Sequence, residues 1–199
     1  LAVRAFGADK VMGLHMPETD SADETLELSQ LMADSLGIDT ALENITPILE
    51  GAGCYRRRDD AIRSVIPEYG TGWRSKIVLP SVVESDSFRV FSVVAQPPEG
   101  DPIKVRLPLQ AYLEVVAATN FKQRTRKMLE YYWADRMRYA VAGTPNRQEY
   151  DQGFFVKNGD GAADLKPIAR LYKSQVYSLA EHLNLPDEVR LRPPTTDTY

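Results

Sequence analysis

Apolar residues near the start of the chain follow first a strand pattern and then a helix pattern. Lys10 to Met16 (KVMGLHM) is a short apolar run that we expect to form a strand, ended by Pro17 because proline cannot donate a hydrogen bond to a sheet. Leu1 to Phe6 is predicted to be the end of an earlier helix, closed by Gly7. A helix is also predicted before Gly37 from apolar residues at helical spacing: Leu28, Leu31, Met32 and Leu36.

The second half of the chain shows the same alternation more clearly. Phe121 to Arg138 is predicted to be a long helix, and Tyr139 to Thr144 a short strand that is apolar enough to be central in a sheet. Strands alternating with helices predict an α/β fold, an open parallel sheet with helices on both faces, in which Val11–Met16 and Tyr139–Ala142 are both central. A last helix ends near Asn184 and Pro186 and carries Val176, Leu179, Ala180 and Leu183.

Residues Thr46 to Thr119 have a less regular pattern. One helix is predicted near Arg57 to Val65. Farther on, Phe88–Ala95 and Ile103–Leu107 have strand character and are separated by the turn-forming residues PPEGDP, which predicts a β-hairpin outside the parallel sheet. We therefore interpret residues 46–119 as a β-rich insertion or extended segment within a single domain of residues 1–199.

Composition narrows the classes of protein to which the chain can belong. Its 199 residues are 43% hydrophobic and 26% charged with a formal net charge of -4, which is ordinary for a compact soluble domain. Nucleic-acid-binding domains usually have a basic face, and a membrane span needs roughly 18 uninterrupted apolar residues. We expect neither kind of partner, and we expect a cytoplasmic protein. The dense basic run Arg56–Arg58 precedes Asp59 and Asp60, which favours a self-compensated helix end over a phosphate-binding patch.

Few residues are available as soft metal ligands. Cys54 is the one cysteine, which excludes an internal disulfide and a multi-cysteine zinc site, and it is interpreted as structural. His15 and His182 are too far apart for a histidine-based metal motif. Any metal would therefore be held by carboxylates or by a bound phosphate.

Of the two segments that follow predicted strands, HMPETDS and the run from Gly143 to Pro167, the second is much the more polar, and it contains Gly153 to Pro167 (GFFVKNGDGAADLKP). In open parallel sheets, ligands bind beyond the carboxyl ends of the strands, so this segment lies where a ligand would bind. Its glycines allow the backbone to approach a ligand closely, and Asp160, Asp164 and Lys157 supply charge. The alternative is a surface loop with Asp-Gly turns.

These residues belong to an ordered set of motifs. Asn120 begins N-x-K-x-R-x-R, Gly143-Thr144 is followed by Glu149, and F-F-x-K-x-G-D-G-x-A-D precedes Lys173 and a terminal P-T-x-D. Together with HMPETDSADET near the N-terminus, the set closely resembles NAD synthetases, which belong to the N-type ATP pyrophosphatases. The resemblance is strong over Asn120 to Tyr199 and weaker over Leu1 to about Thr40, and it implies an adenine nucleotide alpha hydrolase-like fold.

The resemblance implies a reaction and a set of roles. Members of this family use ATP to adenylate the nicotinate carboxylate of deamido-NAD, release pyrophosphate, and then let ammonia displace AMP to give NAD. A carboxylate becomes a good electrophile when a phosphoryl group makes its oxygen a leaving group, and cations such as Mg²⁺ stabilise the phosphate charge. The implied catalytic residues are Asp160, near the adenylate, and Lys173; the ATP-binding residues are Thr144, Lys173 and Thr195; the substrate-binding residues are Arg124, Lys157 and Asp164; and Glu149 is the Mg²⁺ ligand.

Two features depart from the family pattern. The family's phosphate loop, Ser-Gly-Gly-x-Asp-Ser, does not occur within residues 1–199 and is expected upstream of Leu1. The segment between Thr46 and Asn120 is longer than in compact family members. His15 also stands where the family often has an arginine near ATP. Glutamine could supply the ammonia through a separate glutaminase.

Other interpretations of the same residues stay open. The chain could amidate a different carboxylate, or it could be a nucleotide-binding relative without catalytic activity. Arg124 could form a purely structural pair. The resemblance also implies a homodimer built partly on Phe121–Arg138, whose Tyr131, Tyr132, Trp133 and Met137 are residue types that are enriched in interfaces, although a helix buried within one subunit is the alternative.

Overall fold

The computed structural model describes residues 1–78 and 91–193 of the chain. Its helices are α1 (Ala2–Phe6), α2 (Asp23–Leu36), α3 (Thr46–Gly51), α4 (Cys54–Arg63), α5 (Leu109–Met137), α6 (Arg147–Gln152), α7 (Lys173–His182) and α8 (Asp187–Arg190), with a 3-10 helix at Ala8–Lys10 after α1. Its strands are β1 (Met12–His15), β2 (Asp39–Leu42), β3 (Arg74–Val78), β4 (Ser92–Gln96) and β5 (Ile103–Arg106). No helix within these described ranges is both long enough and apolar enough to cross a membrane.

The chain forms two compact units. Of the described residues, the first unit contains Leu1–Thr46 and 123–193, and the second contains Pro47–Lys122 apart from residues 79–90. The predicted site residues Arg124, Lys157, Asp160 and Asp164 all lie in the first unit. The extent of the insertion proposed from the sequence stays a prediction.

The first unit is built around a parallel strand pair. β1 and β2 pair in parallel from Met12 opposite Asp39 to His15 opposite Leu42, and α2 connects them. Gly37 ends α2 in the left-handed conformation with φ 64°, and its N–H bonds to carbonyl oxygens of the last turn, a conformation that glycine adopts without strain. The predicted strand, loop and helix and the α/β class with parallel strands are confirmed. β2 was missing from the prediction because its four residues, DTAL, carry little strand signal.

The prediction of a central strand at Tyr139–Thr144 was wrong. In the described part of the chain this segment forms an isolated parallel bridge between Ala142 and Leu165 and is not hydrogen-bonded to β1 or β2. Val141 is buried, which explains its apolar character. Pro145 has no N–H to continue a ladder, so the pairing ends after a few residues.

The second unit has an antiparallel sheet. β4 pairs with both β3 and β5, and the hairpin of β4 and β5 confirms the predicted one, although residues 88–90 of its first predicted strand lie outside the described residues. α4 matches the helix predicted near Arg57–Val65, and Arg58 pairs with Asp59 at 2.8 Å, as expected for a self-compensated basic run. The core of this unit contains Ile62, Ile66, Tyr69, Val93, Ala95, Leu107, Ala111 and Val115.

Helix α5 begins earlier than the sequence predicted. It starts at Leu109, directly after Pro108, rather than at Phe121. Ala111, Val115 and Ala118 are buried and recur at helical spacing. The strand-favouring residues Val115, Val116 and Thr119 in this stretch obscured that spacing in the sequence. The last helix that the sequence predicted is confirmed as α7, and Asn184 with φ 53° follows it.

Candidate active site

A compact turn holds Asp160. Its Oδ1 accepts a hydrogen bond from the backbone N–H of Val156 at 2.8 Å, and the N–H groups of Gly159 and Gly161 both bond to the Val156 carbonyl oxygen. A Cβ on Gly161 would lie 2.3 Å from Cδ2 of Phe155, so a larger residue there would force the Phe155 ring or the turn to shift. The carboxylate of Asp160 is therefore held by its own loop, with Oδ2 not used in this bond.

Asp164 joins the same loop to two other segments. Its Oδ2 accepts from the Val141 N–H at 2.7 Å, and its Oδ1 accepts from the Tyr131 hydroxyl of α5 at 3.3 Å. The backbone N–H of Asp164 returns a bond to the Val141 carbonyl oxygen at 3.0 Å. Burial and then the neighbouring Asp164 carboxylate raise the pKa of Tyr131 above its ordinary value, so the phenol stays a hydrogen-bond donor.

Arg124 also contacts this loop. Its Nε donates to the backbone carbonyl oxygen of Lys157 at 3.0 Å, and both residues are exposed. The guanidinium and the loop are thus adjacent. The contact is to the backbone, however, so Arg124 positions the loop and leaves the Lys157 ammonium exposed.

Glu149 takes part in a helix cap. The side chain of Asn146 accepts from the N–H groups of Gln148 and Glu149 at the start of α6, and Glu149 Oε2 accepts from the Asn146 N–H at 2.6 Å. This reciprocal arrangement is a capping box, which satisfies backbone N–H groups that the helix itself cannot. Glu149 therefore has a structural role through Oε2, and Oε1 is not part of the cap.

A magnesium ion would need further oxygen ligands here. In the described ranges, 1–78 and 91–193, no cluster of three or more His, Cys, Asp or Glu side chains is arranged to hold a metal. Mg²⁺ commonly binds proteins through one or two carboxylates and takes its other oxygens from substrate phosphates and water. The second carboxylate oxygen of Glu149, Oε1, which lies outside the cap, fits that partial contribution.

Lys173 is the first residue of α7 and is exposed. Its Nζ lies 5.7 Å from the centre of the Tyr177 ring, so the ammonium extends along the outside of its helix. The backbone N–H of Arg147 bonds to the Leu171 carbonyl oxygen at 2.9 Å, which joins the start of α6 to the segment before α7. Thr144, Glu149 and Lys173 are thereby on connected segments. Thr195 lies outside the described residues.

His15 ends β1 and is buried. The hydroxyl of Ser29 donates to the Leu26 carbonyl oxygen at 2.9 Å, so its oxygen accepts from His15 Nδ1–H at 2.7 Å. Within the described part of the chain, His15 Nε2 is a buried polar atom without a hydrogen-bond partner. The carboxyl end of β1 thus has a polar atom that a ligand or a water molecule could satisfy.

Sequence reasoning missed the role of Tyr131. It grouped this residue with the interface aromatics, whereas the structure shows its hydroxyl on Asp164. The spacing carried a signal: Tyr131 follows Arg124 by seven residues, two helical turns, so both lie on the same helix face. A helix face that carries one predicted site residue is where another contact to the loop is expected.

The parallel strands and the polar loop beyond the Val141 segment define an α/β protein of the nucleotide-binding kind, and comparisons with known proteins agree. The model of the NAD synthase family matches residues 1–62 and 104–199. The chain belongs to the NAD synthase family.

Relatives and solved structures refine this assignment. The chain is 60% identical over 199 residues to the NH(3)-dependent NAD(+) synthetase of Rhizobium meliloti (strain 1021), which covers all of this chain and 60% of that protein. The structure of NMN synthetase from Francisella tularensis has a TM-score of 0.63 at 21% identity and matches 94% of this chain and 57% of that one. Glutamine-dependent NAD+ synthetase from Acinetobacter baumannii, solved with ADP, has a TM-score of 0.63 at 19% identity, over 98% of this chain and 29% of that one.

Each of these matches covers part of the relative's length. The chain spans about 60% of the length of the rhizobial relatives that it matches. The family model leaves residues 63–103 unmatched, but the Rhizobium meliloti alignment runs through them. That segment is therefore shared with at least one NAD synthetase and is not particular to this chain.

Proposed function

We propose that the complete protein is an ammonia-dependent NAD synthetase, which adenylates the nicotinate carboxylate of deamido-NAD with ATP and amidates it to give NAD, AMP and pyrophosphate. The observation that carries this proposal is the family match over residues 1–62 and 104–199, because the second range contains every predicted site residue. Ammonia as nitrogen donor is supported by the names of the curated relatives. A separate glutaminase could generate that ammonia from glutamine.

The first step joins the substrate carboxylate to the α-phosphorus of ATP. A carboxylate oxygen attacks that phosphorus and pyrophosphate leaves. Thr144, Lys173 and Thr195 would bind the nucleotide, and the Lys173 ammonium would stabilise the negative charge that develops on the phosphates. Mg²⁺, held in part by Glu149, would supply further neutralisation of the same charge.

The second step forms the amide. Ammonia attacks the activated carbonyl carbon, AMP leaves with one former carboxylate oxygen, and the nitrogen loses a proton. Asp160 would accept that proton, since its carboxylate is fixed by the Val156 N–H and Oδ2 is not used in that bond. Arg124, Lys157 and Asp164 would hold the dinucleotide.

The site is proposed to work in a cytoplasmic homodimer built partly on α5. Met128 and Tyr132 are 61% and 56% exposed and are four residues apart, so they form one apolar patch on the helix surface. Methionine and tyrosine are enriched in interface cores. A dimer would cover this patch.

A different carboxylate substrate is the second candidate. It is favoured by one observation, the equal TM-scores to an NMN synthetase and to an NAD synthetase, since this fold alone does not fix the acid that is amidated. The same adenylation chemistry would then act on nicotinate mononucleotide.

A product assay separates the two candidates. The full-length protein is incubated with ATP, Mg²⁺, ammonium chloride and either deamido-NAD or nicotinate mononucleotide, and pyrophosphate and the amide are quantified. We expect NAD and pyrophosphate in equal amounts from deamido-NAD. A higher kcat/KM for the mononucleotide would establish the second candidate, and no pyrophosphate with either acid would refute both.

A further inference from the structure

Helix α5 contacts the candidate substrate loop at two points on one face. Arg124 Nε donates to the Lys157 carbonyl oxygen at 3.0 Å, and two turns farther along the helix the Tyr131 hydroxyl donates to Asp164 Oδ1 at 3.3 Å. The first contact fixes the backbone of the loop. The second fixes a side chain, and that side chain belongs to a residue predicted to bind substrate.

Asp164 keeps free capacity to accept hydrogen bonds. A carboxylate offers about four lone-pair sites, and Tyr131 and the Val141 N–H use one on each oxygen. The Asp164 residue is exposed, so the other sites are open to a ligand. Two donors on two different oxygens also prevent rotation of the carboxylate about its terminal torsion.

We propose that Tyr131 is a positioning residue, which orients the Asp164 carboxylate to accept hydrogen bonds from hydroxyl groups of the substrate; this inference rests on the proposed function. A carboxylate attracts hydroxyl donors and repels phosphates and carboxylates. Deamido-NAD carries negative charge on its diphosphate and its nicotinate carboxylate, which Asp164 repels. Its donors are the adenine amino group and the ribose hydroxyl groups, and the hydroxyl groups are the donors nearer to the reacting end of the molecule. Tyr131 thus acts on substrate binding through Asp164 and not by direct contact.

The loop itself does not depend on the Tyr131 hydroxyl. The backbone bonds between Asp164 and Val141, together with the bond from Gly143 N–H to the Leu165 carbonyl oxygen at 2.8 Å, hold the two segments without it. Removing only the hydroxyl therefore leaves the Asp164 carboxylate held by the single bond from Val141. The expected consequence is a less ordered acceptor in an intact fold.

Tyr131→Phe in the full-length protein tests this inference. We expect KM for deamido-NAD to rise about tenfold, equivalent to about 1.4 kcal/mol, while kcat and KM for ATP change less than twofold. The matched control is Tyr139→Phe, which also removes a tyrosine hydroxyl bonded to an oxygen of the first unit, the Asp9 carbonyl at 3.4 Å. Tyr131→Phe and Tyr139→Phe should have the same melting temperature, and Tyr139→Phe should keep the parental KM for deamido-NAD.

A double-mutant comparison shows whether Tyr131 acts through Asp164. In the Asp164→Ala background, Tyr131→Phe should have no further effect on KM, because the group that it orients is gone. The inference would be overturned if Tyr131→Phe changed KM equally with and without Asp164. It would also be overturned by an unchanged KM in Tyr131→Phe alone, or by a loss of kcat in that variant together with a lower melting temperature. In each of those cases the parental protein still makes NAD, so the proposed function stands. A parental protein that makes neither NAD nor pyrophosphate would overturn both.

Discussion

Gly143 and Ala163 approach each other so closely that a Cβ on Gly143 would lie 2.7 Å from the Cβ of Ala163. This contact sits between the segment around Val141 and the loop that carries Asp160 and Asp164. Neither atom is the end of a flexible side chain, so the segments could accommodate a methyl group only by moving apart. The close approach explains why a glycine precedes Thr144.

Gly143→Ala is expected to destabilise the protein by about 1–3 kcal/mol, the usual cost of overpacking a close contact. Chemical denaturation of the variant and its parent measures this difference. Gly51→Ala is the matched control, since a Cβ there would meet no atom within 4 Å, and it should leave stability unchanged or raise it by up to about 1 kcal/mol. Equal stability of Gly143→Ala and its parent would show that the two segments separate easily.

Glu149→Gln separates the capping role of Glu149 from its proposed metal role. Glutamine keeps an oxygen that can accept from the Asn146 N–H, so the cap survives, whereas the charge that would attract Mg²⁺ is lost. We expect pyrophosphate release to fall by about 10²–10³-fold, the usual effect of losing one charge-stabilising contact, with an unchanged melting temperature. Excess Mg²⁺ should restore part of the rate.

The control for this variant is Asp151→Asn, because Asp151 lies on the same helix and pairs with Arg147 at the surface. It should keep the parental rate. Lys173→Ala should lose pyrophosphate release to a similar extent as Glu149→Gln but without rescue by Mg²⁺. Near-parental rates in both Lys173→Ala and Glu149→Gln would mean that the phosphates bind elsewhere.

Asp160→Asn tests the proposed proton acceptor. Asparagine can still accept the Val156 N–H, so the turn should persist, but the amide cannot take a proton from the attacking ammonia. We expect near-parental formation of pyrophosphate and slow formation of amide, with the defect easing as pH rises and more free ammonia is present. Rapid-quench measurement of the two products checks this. A parallel loss of both products at every pH would assign Asp160 to the structure of the turn alone.

Met128→Glu should dissociate the proposed dimer, because it places a charge in the apolar patch that Met128 and Tyr132 form on α5. Sedimentation velocity at micromolar concentration measures the change. Leu109→Glu, at an exposed apolar position outside the predicted interface segment Phe121–Arg138, is the control and should remain dimeric. A parental protein that sediments only as a monomer would contradict the prediction.

The sequence predicted elements that have their own periodicity. β1, α2 and α7 follow from apolar spacing with glycine, asparagine or proline at their ends. The prediction of a central strand at Tyr139–Thr144 was wrong because an apolar run shows that a segment is buried but not that it has a partner strand on each side. The first part of α5 was missed because buried alanines are a weak signal among residues that favour strands.

The contacts of the predicted site residues depend on local folding that the sequence pattern does not show. The motif order predicts Asp160 and Asp164 as site residues, whereas their bonds to Val156 and Val141 depend on how the loop folds. The capping box was legible, since Asn146 stands three residues before Glu149, the spacing that predicts one. That local role is compatible with the proposed metal role only because the carboxylate has two oxygens.

The central claim is that the substrate carboxylate is activated by adenylation, and an oxygen-isotope experiment tests it most directly. Deamido-NAD labelled with ¹⁸O in the nicotinate carboxylate is converted by the full-length protein with ATP and ammonia, and the AMP product is analysed by mass spectrometry. Because AMP leaves with one former carboxylate oxygen, the account predicts one ¹⁸O atom in the phosphate of AMP for each labelled NAD that forms. Amide formation with unlabelled AMP would contradict it.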